Sequence, residues 1–167
     1  GYSWVEPPGQ DLATLDDFTS SASALNELLT TAYFTKGDFS SIGFVGFSQG
    51  AAMMYAYAFL HPQHVSAMAG LSGFLPAMDL DLIHRRPFVG KKIFIAHGTL
   101  DEFVPIEKAR TSAMLLEQAG AEVVEKLDKA GFIMGVKEMP LDFFQEGKTY
   151  IFFSHVIKGQ PHNMPML

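Results

Sequence analysis

The chain has 167 residues, 48% of them hydrophobic and 18% charged, which is enough apolar surface for one ordinary core. Its 12 basic and 18 acidic side chains leave a net charge of −6, the opposite of the balance a nucleic-acid binder carries. With no cysteine there are no disulfides and no thiolate metal sites, a composition that fits a reduced, cytoplasmic compartment.

Residues 1–10 read as a loop punctuated by Pro7, Pro8 and Gly9, without the basic start and apolar core of a signal peptide. The spacing of Leu12, Leu15, Phe18, Ala22, Leu25 and Leu29 predicts a helix over Asp11–Thr31. Ile42–Phe47 is a short apolar run with β-branched and aromatic bias, hence a buried strand. The following segment, to Leu60, is apolar on nearly all sides, which marks a buried helix, and His61-Pro62 ends it. No apolar run reaches the roughly 18 residues that a membrane span needs. Val65–Leu71 reads as a strand, Ser72–Val89 as irregular, and Lys91–Ala96 as a third strand. Pro105 opens a helix whose buried face is Ile106, Ala109, Ala113 and Leu116 and whose end is Gly120. Glu122–Glu125 is a fourth strand. Strands alternating with helices predict an α/β fold of three layers, a mostly parallel sheet with helices on both faces. Ile42–Phe47 and Lys91–Ala96 are expected at its centre. An exposed sheet edge would invite self-association.

The composition shifts near residue 127. The first 126 residues hold 8 basic and 14 acidic side chains; the last 41 hold 4 of each. Gly131–Val136 and Thr149–Phe153 read as strands of a short appendage. The expected domains are therefore 1–126 and 127–167.

Gly46-Phe47-Ser48-Gln49-Gly50 fits G-x-S-x-G in the required context, a strand before and a helix after. Such a turn exposes a Ser hydroxyl, and the next amide, that of Gln49, points to where an oxyanion forms. Asp101 follows the third strand, where catalytic groups gather in a parallel sheet. It reads either as the acid that orients a histidine or as a turn-capping carboxylate. His97 precedes it and reads as a turn organiser; His61, His64 and His84 read as surface or loop histidines. No metal cluster and no cofactor motif stands out.

Three strings carry a resemblance. They are Gly46–Met53 (Gly-Phe-Ser-Gln-Gly-Ala-Ala-Met), Ile95–Pro105 (Ile-Ala-His-Gly-Thr-Leu-Asp-Glu-Phe-Val-Pro) and Leu116–Val123 (Leu-Glu-Gln-Ala-Gly-Ala-Glu-Val). Residues 1–126 resemble the phospholipase/carboxylesterase family of α/β hydrolases, which includes the acyl-protein thioesterases. The resemblance implies an α/β-hydrolase core truncated at its N-terminus and a small acyl ester or thioester substrate. It also implies an acyl-enzyme on Ser48, Asp101 as the triad acid, and no cofactor. The family's early strand and its oxyanion loop have no counterpart before Gly1. The family's triad histidine has none either, since no His lies between residues 98 and 154. His155 is then the first downstream candidate base, with His162 after it.

The strings Ala130–Pro140 and Lys148–Pro165 resemble the N-terminal domain of the lysine-ketoglutarate reductase, saccharopine dehydrogenase and alanine dehydrogenase group. That resemblance implies proton-transfer and substrate-binding roles for Lys137 and His155. No G-x-G-x-x-G follows residue 127, so a nicotinamide site is not expected here. Three readings result: a serine hydrolase, inactive if its base is missing; a non-catalytic composite or relic joined near 125–130; and a fragment of the oxidoreductase.

Overall fold

The computed structural model describes residues 3–5, 13–30, 41–124, 132–135, 146–147 and 149–152. The chain divides into two compact units, Gly1–Glu125 and Lys126–Leu167. In the first, helix α1 (Thr19–Thr30) precedes strand β1 (Ile42–Phe47), helix α2 (Gln49–Leu60) and strand β2 (Val65–Leu71). Helix α3 (Leu80–His84), strand β3 (Lys92–Ala96), helix α4 (Ile106–Gln118) and strand β4 (Glu122–Val124) complete it. The four strands are parallel in the order β1-β2-β3-β4. In the second unit, β5 (Phe132–Gly135) pairs in parallel with β6 (Thr149–Phe152).

Period-two alternation divides the residues of the first sheet between its faces. Phe44, Gly46, Met68, Gly70, Ile93, Ile95 and Val123 share one face by register. On that face lies the core, built around α2, whose residues from Ala51 to Phe59 are all buried. The sequence reading of a helix apolar all round is thus met by a helix covered all round. The other face carries Val45 and Phe47, each about half exposed at 51% and 50%.

Two glycines let α2 sink onto the sheet. Gly46 and Gly70 are register partners on β1 and β2. A Cβ at Gly46 would lie 2.6 Å from Ala51 Cα, and one at Gly70 would lie 1.9 Å from the Tyr55 hydroxyl oxygen. Ala51 and Tyr55 are four residues apart, so one stripe of the helix meets both gaps. Tyr55 is 2% exposed and Tyr57 fully buried, and burial raises the pKa of both phenols. Each large side chain so buried contributes about 1.5–3 kcal/mol of transfer free energy.

Three differences from the sequence reading have local causes. The first helix begins later than Asp11: Thr14 forms an isolated parallel bridge with Ala77, and Leu15 N–H donates to the Ala77 carbonyl at 2.8 Å. Asp17 then accepts the Thr14 N–H at 2.7 Å and leads through a 3-10 turn into α1. The irregular stretch after Ser72 contains α3, whose Asp79 cap accepts the Asp81 N–H. Among the described residues β1 lies at the sheet edge and β2 and β3 at the centre, whereas the sequence reading placed β1 centrally.

Candidate active site

Ser48 occupies the one residue between β1 and α2. Its backbone has φ 53° and ψ −124°, a conformation that a non-glycine residue adopts only when its surroundings enforce it. The enforcement is visible on both sides. Ser48 N–H donates to the Leu71 carbonyl at 2.9 Å, and the Ser48 carbonyl accepts the Ala51 N–H at 3.0 Å. Gly46 lets the strand pass the first turn of the helix. Gly73 lets the loop after β2 pass over it: a Cβ there would lie 2.4 Å from Ala51 Cβ and 3.1 Å from the Ser48 carbonyl oxygen.

The Ser48 side chain makes no capping bond to its helix, so its hydroxyl is not committed to the backbone there. The Ser48 carbonyl takes the amides of Ala51 and Ala52. Those of Gln49 and Gly50 belong to the first turn, where no intrahelical acceptor exists. Two amides and the positive end of a buried helix therefore stand beside a strained serine, an arrangement suited to holding a developing negative charge.

The carboxyl ends of the strands are stitched in sequence. Ser48 N–H bonds to the end of β2, and Ser72 N–H bonds to the Ala96 carbonyl at the end of β3 at 2.8 Å. Ser72 also has a positive φ, 47°. The sequence reading passed over Leu71-Ser72-Gly73; a small pair directly after a strand and before a proline was the available signal.

Asp101 lies in the loop after β3, at the same edge of the sheet as Ser48. Its Oδ1 accepts the N–H groups of Phe103 and Val104, each at 3.0 Å. Those bonds, Val104 first and Phe103 next, hold the carboxyl below its usual pKa against a small opposing effect of burial; His97 and the Ser72 hydroxyl add lesser pulls. Oδ2 lies 3.7 Å from His97 Nε2, too far for a hydrogen bond. His97 donates from Nε2 to the Val104 carbonyl at 2.6 Å, which closes the 97–104 loop. Its imidazole is 4% exposed, and its Nδ1 is buried without a partner among the described residues. The geometry makes His97 a turn organiser, as its position in the sequence suggested.

The other histidines divide by place. His61 and His64 flank the turn between α2 and β2, at the amino edge of the sheet, away from Ser48. His155, His162 and Lys137 lie outside the described residues. Of the apolar residues near the site, Phe74, Leu75 and Met78 pack against the core, whereas Phe103 is 94% exposed. Among the described residues no three His, Asp or Glu side chains gather as a metal site, and no helix is long and apolar enough to cross a membrane.

A serine held at positive φ between a strand and a buried helix, at the carboxyl edge of a parallel sheet, defines an α/β-hydrolase fold. Residues 9–135 match the model of the phospholipase/carboxylesterase family, and the chain belongs to that family. It is similar to acyl-protein thioesterase 1 of Kluyveromyces lactis, with 27% identity over 119 residues, covering 70% of this chain and 51% of that protein. Its fold is similar to that of the Bacillus cereus carboxylesterase at a TM-score of 0.63 and 20% identity, covering 92% of this chain and 60% of that one. A separate likeness is to alpha-aminoadipic semialdehyde synthase of Arabidopsis thaliana, 40% identical over 53 residues, which is 32% of this chain and 5% of that protein. The chain thus spans about half of the thioesterase and a small part of the synthase.

Proposed function

We propose that this chain carries the nucleophile and acid of a serine hydrolase acting on small carboxylic esters or thioesters. Ser48 attacks the acyl carbon, the Gln49 N–H holds the oxyanion, and Asp101 orients the imidazole that takes the Ser48 proton. The alcohol or thiol leaves with that proton, and water releases the acyl group from Ser48. The observation that carries this reading is the enforced positive φ of Ser48 at the start of a buried helix. Asp101 supports it, because two backbone amides fix Oδ1 and leave Oδ2 for a histidine. In this reading His155 is the candidate base, and without a histidine at Oδ2 turnover falls by several orders of magnitude. A cytoplasmic setting fits a chain that has no cysteine. The uncharged, proline-free strand Ile42–Phe47 at the sheet edge favours pairing with a second copy.

Labelling with a fluorophosphonate serine probe, read by intact mass on the wild-type chain and on Ser48→Ala, tests the reading. Stoichiometric labelling that disappears in Ser48→Ala supports an activated Ser48. A folded, soluble chain that takes no label refutes turnover and leaves a non-catalytic relic of the fold.

A second reading rests on the likeness to alpha-aminoadipic semialdehyde synthase. In it, residues 127–167 form a separate segment akin to the amino-acid dehydrogenases, in which Lys137 and His155 serve proton transfer. The boundary of the compact units at Glu125/Lys126 supports a division at that point. His155→Ala separates the two readings: loss of Ser48 labelling assigns His155 to the hydrolase, and unchanged labelling removes it from that site.

A further inference from the structure

Gln49 carries two functional groups that face different ways. Its amide belongs to the site just described. Its side chain reaches residues some 45 positions earlier: the Oε1 atom accepts the Trp4 N–H at 3.0 Å and lies 3.0 Å from the Ser3 hydroxyl. That hydroxyl also meets the Val5 carbonyl. From the other side, the Ser21 hydroxyl on α1 donates to the Trp4 carbonyl at 2.5 Å. Both polar groups of the Trp4 backbone are thus held by side chains, one from each helix, and Val5 is buried at 6% exposure to fix the segment further.

The consequence falls on the first turn of α2. The Trp4 indole Nε1 is the nearest atom to a Cβ placed on Gly50, at 3.9 Å. The ring therefore lies against the turn whose free amides are those of Gln49 and Gly50. Trp4 remains 45% exposed, so it borders the site rather than filling it.

We propose that the Gln49 side chain is a positioning residue, a strap whose carboxamide oxygen holds Ser3–Val5 in place and sets the Trp4 indole as a wall beside the Ser48 turn. The atom that matters is an acceptor, because the Trp4 N–H it meets can only donate. A carboxylate in its place accepts the same bond and is favoured at a helix N-terminus. An apolar side chain of the same length accepts none. The bearing of this strap on catalysis rests on the reading of Ser48 as nucleophile; the positioning of Trp4 does not.

Trp4 is the chain's single tryptophan, so its fluorescence reports the strap without reference to activity. In Gln49→Leu the emission should move to longer wavelength. Acrylamide quenching should rise about twofold as the indole goes from 45% exposed toward full exposure. Gln49→Glu should keep the wild-type emission and quenching. Unchanged fluorescence in Gln49→Leu overturns the proposal, and so does a Gln49→Glu variant that behaves like Gln49→Leu. Fluorophosphonate labelling on the same three proteins reads the catalytic part: a rate lowered in Gln49→Leu and restored in Gln49→Glu supports a wall that serves Ser48. If none of the three takes label while the fluorescence pattern holds, the strap stands and the Ser48 reading falls.

Discussion

Substituting Gly46 by alanine puts one methyl group where the structure has no room. The new Cβ would lie 2.6 Å from both Ala51 Cα and the Gly50 carbonyl oxygen, and 2.7 Å from the Ala51 nitrogen. All three are backbone atoms of the first turn of α2, so no rotamer change relieves the contact. Reaching ordinary van der Waals distance, 3.4 Å, requires the helix start to retreat by about 0.8 Å. Overpacking of this kind costs about 3 kcal/mol, partly offset by about 0.5–1 kcal/mol from the lower entropy of the unfolded alanine chain. The net loss of about 2 kcal/mol lowers Tm by about 8 °C in a unit of this size. Gly43 lies on the same strand, and a Cβ there meets nothing within 4 Å. Gly43→Ala is therefore the control and should melt at or slightly above the wild-type temperature. Thermal denaturation followed by circular dichroism compares the two. The same displacement carries Ser48 with it, and a misplacement near 1 Å slows probe labelling by about a hundredfold. Equal melting temperatures for Gly46→Ala and Gly43→Ala would refute the steric account of the turn.

Ser112 accepts the Leu75 N–H at 2.7 Å and donates to the Lys108 carbonyl at 2.6 Å while only 3% exposed. Ser112→Ala strands that N–H and should cost about 1–3 kcal/mol in urea denaturation. Asp101 has its carboxyl pKa lowered in the folded chain, chiefly by the Val104 and Phe103 amides. Its contribution is present above the ordinary value of 3.8 and is lost as pH falls through the lower folded value. Asp101→Asn should therefore lower Tm near neutrality, and the gap to wild type should close as pH falls below about pH 4. Because two backbone amides fix Oδ1 and His97 stands 3.7 Å from Oδ2, beyond hydrogen-bond reach, added imidazole should accelerate labelling of Ser48. Asp101→Asn should abolish that acceleration; an equal acceleration in both proteins would remove Asp101 from the site.

The strand, serine and helix around Ser48 were legible to the residue, because glycine, an apolar run and an uninterrupted helix former each limit the backbone locally. Leu15 misled for the opposite reason. Its spacing fits a place inside a helix, but its N–H is claimed by a bond to Ala77, more than 60 residues away, which no local pattern contains. Helix α3 was hidden between Pro76 and Pro87, although Asp79 ahead of Leu-Asp-Leu-Ile is a capping sequence. Among the described residues β1 lies at the sheet edge rather than its centre, because strand order is a property of crossover connections, not of strand composition. For the proposed site, Ser48 and Asp101 stand out in the sequence because motifs carry them. The second task of Gln49 could not, since its partners Ser3 and Trp4 lie in a stretch that reads only as loop.

The paired glycines beneath α2 also set how this sequence can vary. Gly46 and Gly70 sit side by side on neighbouring strands, and Ala51 and Tyr55 occupy the gaps they leave. The four positions behave as one mould and casting: a methyl group gained on the sheet must be matched by volume lost on the helix. Drift at any one of them is therefore blocked unless its counterpart changes in the same lineage. Related sequences that carry alanine at the position of Gly70 should show a smaller residue where this chain has Tyr55, and should do so whether or not their serine still turns over substrate.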